Sequence, residues 1–127
     1  MVSYRGARER RERSSRSGGK RRYTSMQVIG KVCGNTLYIF LSGELDEYGA
    51  PAARAAADEA IERGIACERV VFDLSGVRFM DSSGIGFLLG RYKKLKKCRT
   101  PAFIQSPDFA ADKILSVSGI YSLIPKL

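Results

Sequence analysis

Sustained apolar patterning starts at Met26, and its period changes several times before Leu127. Met26 to Val32 alternates loosely and runs into Cys33-Gly34-Asn35, a turn-like cluster. Thr36 to Ser42 is rich in β-branched and aromatic residues, so the two runs predict a β-hairpin. Gly43-Glu44-Leu45-Asp46 is expected to break the second strand. Ala53, Ala56, Ala57, Ala60 and Ile61 then recur at the i, i+3, i+4, i+7, i+8 spacing of one buried helix face. Pro51 suits the first turn of that helix and Gly64 its end. Small alanines would let the helix lie close to a sheet.

Arg69 to Asp73 is centred on three apolar residues, as expected of an interior strand in a sheet covered on both faces. Leu74-Ser75-Gly76 reads as a turn into Val77 to Met80. Asp81 and Ser82 are helix-start residues. The helix they open would carry Ile85, Leu88, Leu89, Tyr92 and Leu95 inward. Its last turns hold Arg91, Lys93, Lys94, Lys96 and Lys97, a solvated end that complements the helix dipole. After Pro101, Ala102 to Gln105 predicts a brief strand. Ser106 as cap and Pro107 at the first position open a helix through about Ser116, and Gly119 closes it. Tyr121 to Ile124 reads as a last short strand. The order β-β-α-β-α-β-α-β predicts an α/β domain with helices packed on a mixed sheet.

Composition narrows the chemistry. The chain has 127 residues, enough for one domain and a tail, and its 44% apolar content is in the globular range. It contains no histidine, which removes Ser-His-Asp and Cys-His catalysis and histidine-containing zinc sites. Cys33, Cys67 and Cys98 are odd in number and form no CxxC pair, so they read as idle or buried thiols in a reducing cytosol. No apolar run approaches a membrane span, and residues 1–25 lack the apolar segment expected of a secretory signal. No metal, cofactor or membrane insertion is expected, and the predicted location is the cytoplasm.

The net charge of +9 is concentrated in residues 1–25, where nine Lys/Arg face only Glu9 and Glu12 for a net +7; residues 26–127 carry +2. The first segment is Arg-, Ser- and Gly-rich and has too little apolar surface to offset the entropy of ordering, so a disordered basic extension is expected over 1–25 and a folded domain over 26–127. Three readings of the extension stay open: an inert addition, a start that belongs at Met26, or a nucleic-acid or anionic-lipid tether. Nucleic acid is otherwise not an expected partner.

The chemically informative stretch is Phe79 to Lys93. It places hydroxyls where a strand hands over to a helix, whose free N–H groups and partial positive charge can seat a phosphoryl group. Gly84 and Gly86 would leave the backbone open to another protein, and Asp81 adds a carboxylate. From the residues alone, Asp81-Ser82-Ser83 is either a capping cluster or such an acceptor. A dinucleotide fingerprint in Gly84-x-Gly86-x-x-x-Gly90 fails, because its third glycine is one residue late and Arg99-Thr100-Pro101 stands where an acidic ribose ligand is needed.

This stretch, Asp81-Ser82-Ser83-Gly84 followed by Gly90-Arg91-Tyr92-Lys93, resembles the signature of the STAS-domain anti-sigma factor antagonists of bacteria. Ser42-Gly43-Glu44-Leu45-Asp46 is similar to a second motif of that family and Val117-Ser118-Gly119-Ile120 to a third, weaker one. The resemblance covers 26–127. It implies a STAS-type fold and a phosphoprotein that acts in sigma-factor partner switching, in sporulation or stress response, without being an enzyme. Unphosphorylated, such a protein binds an anti-sigma factor that is also a serine kinase and so frees the sigma factor. The kinase then phosphorylates the serine after the signature aspartate, here Ser82, and a serine phosphatase resets it. The implied partner-binding positions are Gly43, Glu44, Leu45, Asp46, Asp81, Ser82, Ser83, Gly84, Ile85, Gly86 and Arg91. Ile85 also fits the apolar helix face, so core and contact are equally open there. Two departures stand out: Pro101 replaces a glycine-rich turn before a longer strand, and the family's last helix has no counterpart before Leu127. A second reading within the fold is a cytoplasmic STAS accessory subunit of a lipid or anion transporter.

Overall fold

The computed structural model describes residues 26–64 and 66–127, together with the backbone of three strands ahead of them, Val2–Arg5 (β1), Arg10–Arg13 (β2) and Arg21–Thr24 (β3). The expectation of a disordered basic extension over 1–25 otherwise lies outside the described residues. The domain follows as β4 (Gln27–Cys33), β5 (Thr36–Leu45), α1 (Gly49–Arg63), β6 (Arg69–Met80), α2 (Ser82–Lys97), β7 (Ala102–Gln105), α3 (Phe109–Ser118) and a short 3-10 turn, Ile120–Ser122. The sheet order is β1-β4-β5-β6-β7. β4 and β5 form the expected antiparallel hairpin around Gly34, whose φ of +62° meets the positive-φ demand of a two-residue turn. β5, β6 and β7 run parallel, which requires the crossover helices α1 and α2. The α/β architecture with a mixed sheet is as the sequence predicts.

The core occupies one face of that sheet. Val28, Leu37, Ile39, Leu41, Val70, Phe72, Ala102 and Ile104 join Ala53, Ala56, Ala57, Phe87, Leu88, Ala111 and Leu115 of the three helices in a single cluster. Covering on both faces is therefore corrected to one. Val71 points to the opposite face and is buried there between its lateral neighbours, Tyr38 and Phe103. Three apolar residues in a row thus do not mean two helical layers.

Two predicted breaks are absent because the strands bend without ending. β5 runs through Gly43 to Leu45, with register shifts at Phe40/Ser42 and Gly43/Glu44 and Gly43 at φ +111°. These are β-bulges, which turn a strand while keeping its pairing. β6 likewise continues through Leu74-Ser75-Gly76 to Met80. Gly76 lies against the bulge, where an added Cβ would come within 2.6 Å of Ser42 Cβ and 3.0 Å of the Leu41 carbonyl. Asp73 is buried alongside, but Oδ1 accepts from the Ser75 N–H and hydroxyl at 2.9 and 2.6 Å and Oδ2 from Gln105 Nε2 at 2.7 Å. Its charge is thus met by three donors.

The C-terminal region differs from expectation in detail. Asp108 caps α3, accepting from Ala111 N–H at 2.8 Å, whereas Ser106 has φ +58° and serves as a turn residue two positions earlier. Gly119, at φ +80°, ends α3 as expected. Tyr121 to Ile124 forms no strand: Ile120 to Ser122 coil into the 3-10 turn, and only a bridge between Ile104 and Lys126 adds to the sheet edge. Asp112 ties this end to α3 through Tyr121 Oη at 2.6 Å and Lys126 Nζ at 2.8 Å, and these donors hold its carboxyl below the usual range.

Gly76→Ala should cost about 1–3 kcal/mol, because the new methyl overpacks against backbone that cannot yield. Urea unfolding of the two proteins measures it, and an unchanged midpoint would show that the β5–β6 bend is not close-packed.

Candidate functional site

Parallel strands deliver their carboxyl ends to the same edge of a sheet, and that geometry assembles the site. Glu44 and Leu45 of β5 pair with Phe79 and Met80 of β6, so the loops that follow emerge side by side. The Asp81 N–H points to the Leu45 carbonyl at 3.5 Å, a long and weak link between them. In the first loop Asp46 Oδ1 accepts from the N–H groups of Tyr48 and Gly49 at 3.0 and 2.9 Å, which shapes the entry to α1. In the second, Asp81 is the N-cap of α2, with Oδ1 accepting from Ser83 N–H at 2.8 Å.

Of the capping and acceptor roles left open by the sequence, the first falls on Asp81. Ser82, the first residue of α2, is exposed, and among the described residues its hydroxyl makes no hydrogen bond. A hydroxyl that contributes nothing to the fold is free for chemistry. Glu44 and Gly86 are exposed beside it, and Asp46, Asp81, Ser83 and Ile85 are half-buried. An added Cβ at Gly86 would meet nothing within 4 Å, as open backbone requires.

The remaining predicted positions lie inside. Gly43, Leu45 and Gly84 are buried, so Gly84 is not an open approach. Its Cβ would stand 2.8 Å from Met80 Cγ and 3.2 Å from Leu45 Cδ2, so glycine here lets α2 start hard against the strand ends. Arg91 is 7% exposed and faces α1, with Nε 2.8 Å from Asp58 Oδ1. That contact lies off the N–H axis, so charge holds the pair without a directed hydrogen bond. Burial pushes the guanidinium pKa down, Asp58 opposes the fall and Arg54 adds to it. Lys94 reaches Asp58 and Glu62 at 3.7 and 3.8 Å, so part of the supposed solvated end joins α2 to α1.

The pairing goes with an inward-facing Arg91 on α2. Its buried stripe is Gly84, Phe87, Leu88, Arg91 and Leu95, with Phe87 edge-on to Phe72 at 6.1 Å and Arg91 over the Phe87 ring at 5.4 Å. Ile85, Leu89 and Tyr92, expected on the buried face, are at its margin. Ile85 and Leu89 consequently line a groove of about 690 Å³ between α2 and α3, together with Ser82, Gly86, Lys113, Ile114, Val117 and Ser118. The contribution of α3 went unrecognised in the sequence. Its signal was an excess of apolar residues, since only Ala111 and Leu115 of that helix are buried.

Among the described residues no group of His, Cys, Asp or Glu could hold a metal, and no helix is long and apolar enough to cross a membrane. The three cysteines are unpaired, Cys33 and Cys98 exposed and Cys67 half-buried, which fits the idle and not the buried alternative.

The STAS domain model matches residues 23–127. The chain belongs to the STAS-domain family. It is 37% identical over 89 residues to an anti-sigma F factor antagonist of Paenibacillus polymyxa, across 70% of this chain and 75% of that one. Among solved structures it is similar to the anti-sigma factor antagonist SpoIIAA in its unphosphorylated form, with a TM-score of 0.65 and 29% identity over 80% of this chain and 87% of that one. The phosphorylated form of the Bacillus cell fate determinant SpoIIAA matches at a TM-score of 0.59 and 29% identity, covering 80% and 90%.

Because Asp81 caps and Ser82 does not, Asp81→Ala should destabilise the domain by about 1 kcal/mol. Ser82→Ala should leave stability within about 0.5 kcal/mol of wild type. Thermal unfolding of both variants distinguishes them, and a larger loss for Ser82→Ala would reverse the assignment.

Proposed function

We propose that this chain is an anti-sigma factor antagonist switched at Ser82. Unphosphorylated, it binds an anti-sigma factor that is also a serine kinase and releases the sigma factor. Phosphorylation of Ser82 by that kinase ends the binding, and a separate serine phosphatase restores it. The chain is then a substrate and a binding partner in the cytoplasm, not a catalyst, and it works without metal or cofactor. The observation that carries this reading is the unengaged, exposed Ser82 hydroxyl between the Asp81 cap and the Asp46 loop. The antagonists to which the chain is similar support it.

Contact with the partner falls to the exposed and half-buried members of the site: Glu44, Asp46, Asp81, Ser82, Ser83, Ile85 and Gly86. Gly43, Leu45, Gly84 and Arg91 serve the interface indirectly, by fixing the two loops and the angle of α2. Phosphoserine adds about −1.5 to −2 charges and three acceptor oxygens. A partner docked over Ser82 meets that charge beside Asp46 and Asp81, and a coupling of about 2–3 kcal/mol weakens binding some 30- to 150-fold.

Incubation with the kinase and ATP, followed by mass spectrometry, should place the phosphate on Ser82. Ser82→Ala should still bind the kinase and should no longer be released by ATP. Phosphate found mainly on Ser83, or on Ser14, Ser15 or Ser17, would refute the assignment.

A further inference from the structure

The groove between α2 and α3 has Ser82 as one of its lining residues. Its volume of about 690 Å³ is within the range of sites that enclose a ligand or several side chains. Ile85, Leu89, Ile114 and Val117 make it apolar, and Val117 is 83% exposed. Apolar surface of this kind gains free energy only when something else removes it from water.

Two observations identify the occupant. The first is continuity: a kinase that phosphorylates Ser82 must cover a residue of the groove itself, so its surface necessarily abuts the apolar walls. The second is charge. Lys113 is the single charged lining residue, and among the described residues it has no acidic partner, whereas Asp112 and Asp58 on neighbouring turns and helices do have basic ones. The opposite flank of Ser82 carries the carboxylates of Asp46 and Asp81. A partner laid across Ser82 therefore meets acids on one side and a lone cation in an apolar trough on the other.

We propose that the groove receives an apolar segment of the anti-sigma factor with a carboxylate placed to meet Lys113. The proposal rests on the antagonist reading and extends the interface from the two loops and α2 to α3. It also gives phosphorylation a second point of action. Asp81 already occupies the Ser83 N–H, so a phosphate on Ser82 finds one fewer donor at the helix start and Lys113 along the same groove. The phosphate then competes with the partner's carboxylate for that ammonium.

The test is calorimetric titration of the full chain with the purified anti-sigma serine kinases of its own organism. Val117→Asp should bind at least about tenfold more weakly than wild type, with the melting temperature unchanged because the residue is exposed. Lys113→Gln should weaken binding a few-fold and narrow the affinity gap between the unphosphorylated and Ser82-phosphorylated chains. Wild-type affinity in both variants would overturn the groove assignment and leave the antagonist reading standing. Failure of the wild-type chain to bind any of these kinases would overturn both.

Discussion

The site depends on the parallel pairing of β5 with β6. Antiparallel neighbours would send their carboxyl ends to opposite edges of the sheet and separate Asp46 from Ser82 by the length of a strand. Parallel neighbours bring them together, provided that the two strands end in register. They do so only because both are bent: the bulges at Ser42 and Gly43 and the close approach of Gly76 keep the pairing alive as far as Leu45 and Met80. A strand that stopped at Phe40 or Asp73 would leave both loops long and unanchored. The glycines of this region thus work for the site at a distance, through strand length.

A second constraint orients α2 on the sheet. An arginine at a core-facing position is costly unless its charge is met. Asp58 meets it from α1, and the Phe87 ring lies beneath the guanidinium. The ion pair commits Gly84, Phe87, Leu88 and Leu95 to the interior and leaves Ile85 and Leu89 at the margin. An apolar residue in place of Arg91 would fill the same volume without specifying which of two adjacent stripes faces inward. A buried pair of this kind is weak evidence for added stability, and here its geometry fits one rotation of α2 and not the other. The groove beside Ser82 follows from it.

These relations explain which features were legible in the sequence. Periodicity identified α1, the hairpin, β7 and the start of α2, because each rests on local patterning or on a cap with its own residue signature. It failed where long-range contact overrides local preference. Leu74-Ser75-Gly76 and Gly43-Glu44 have turn chemistry, yet each lies in a strand held by its neighbour. Arg91 interrupts an apolar stripe, so the apolar pattern takes in Ile85, Leu89 and Tyr92 and passes over Phe87. Tyr121 to Ile124 has strand-like composition, but Gly119 and the Asp112 hydrogen bonds hold it as a turn. At the site, the signature singles out Ser82 and its loop as candidates; what it could not convey is which members face outward, because burial is a property of the assembled sheet.

If Ser82 is the acceptor, as proposed, its separation from the cap also decides how a phosphate would act. If Ser82 itself capped α2, modifying it would exchange one helix-start interaction for another and alter the domain's stability with every cycle. Asp81 performs that task, and the Ser82 hydroxyl supports nothing. A charge added at Ser82 would therefore demand no repacking, since Gly84, Phe87 and Leu88 anchor the start of α2 from its buried side. A switch built this way changes what the surface presents and leaves the fold that presents it unaltered. Its action would have to be felt by whatever covers the surface that Ser82 shares with the groove and with Lys113.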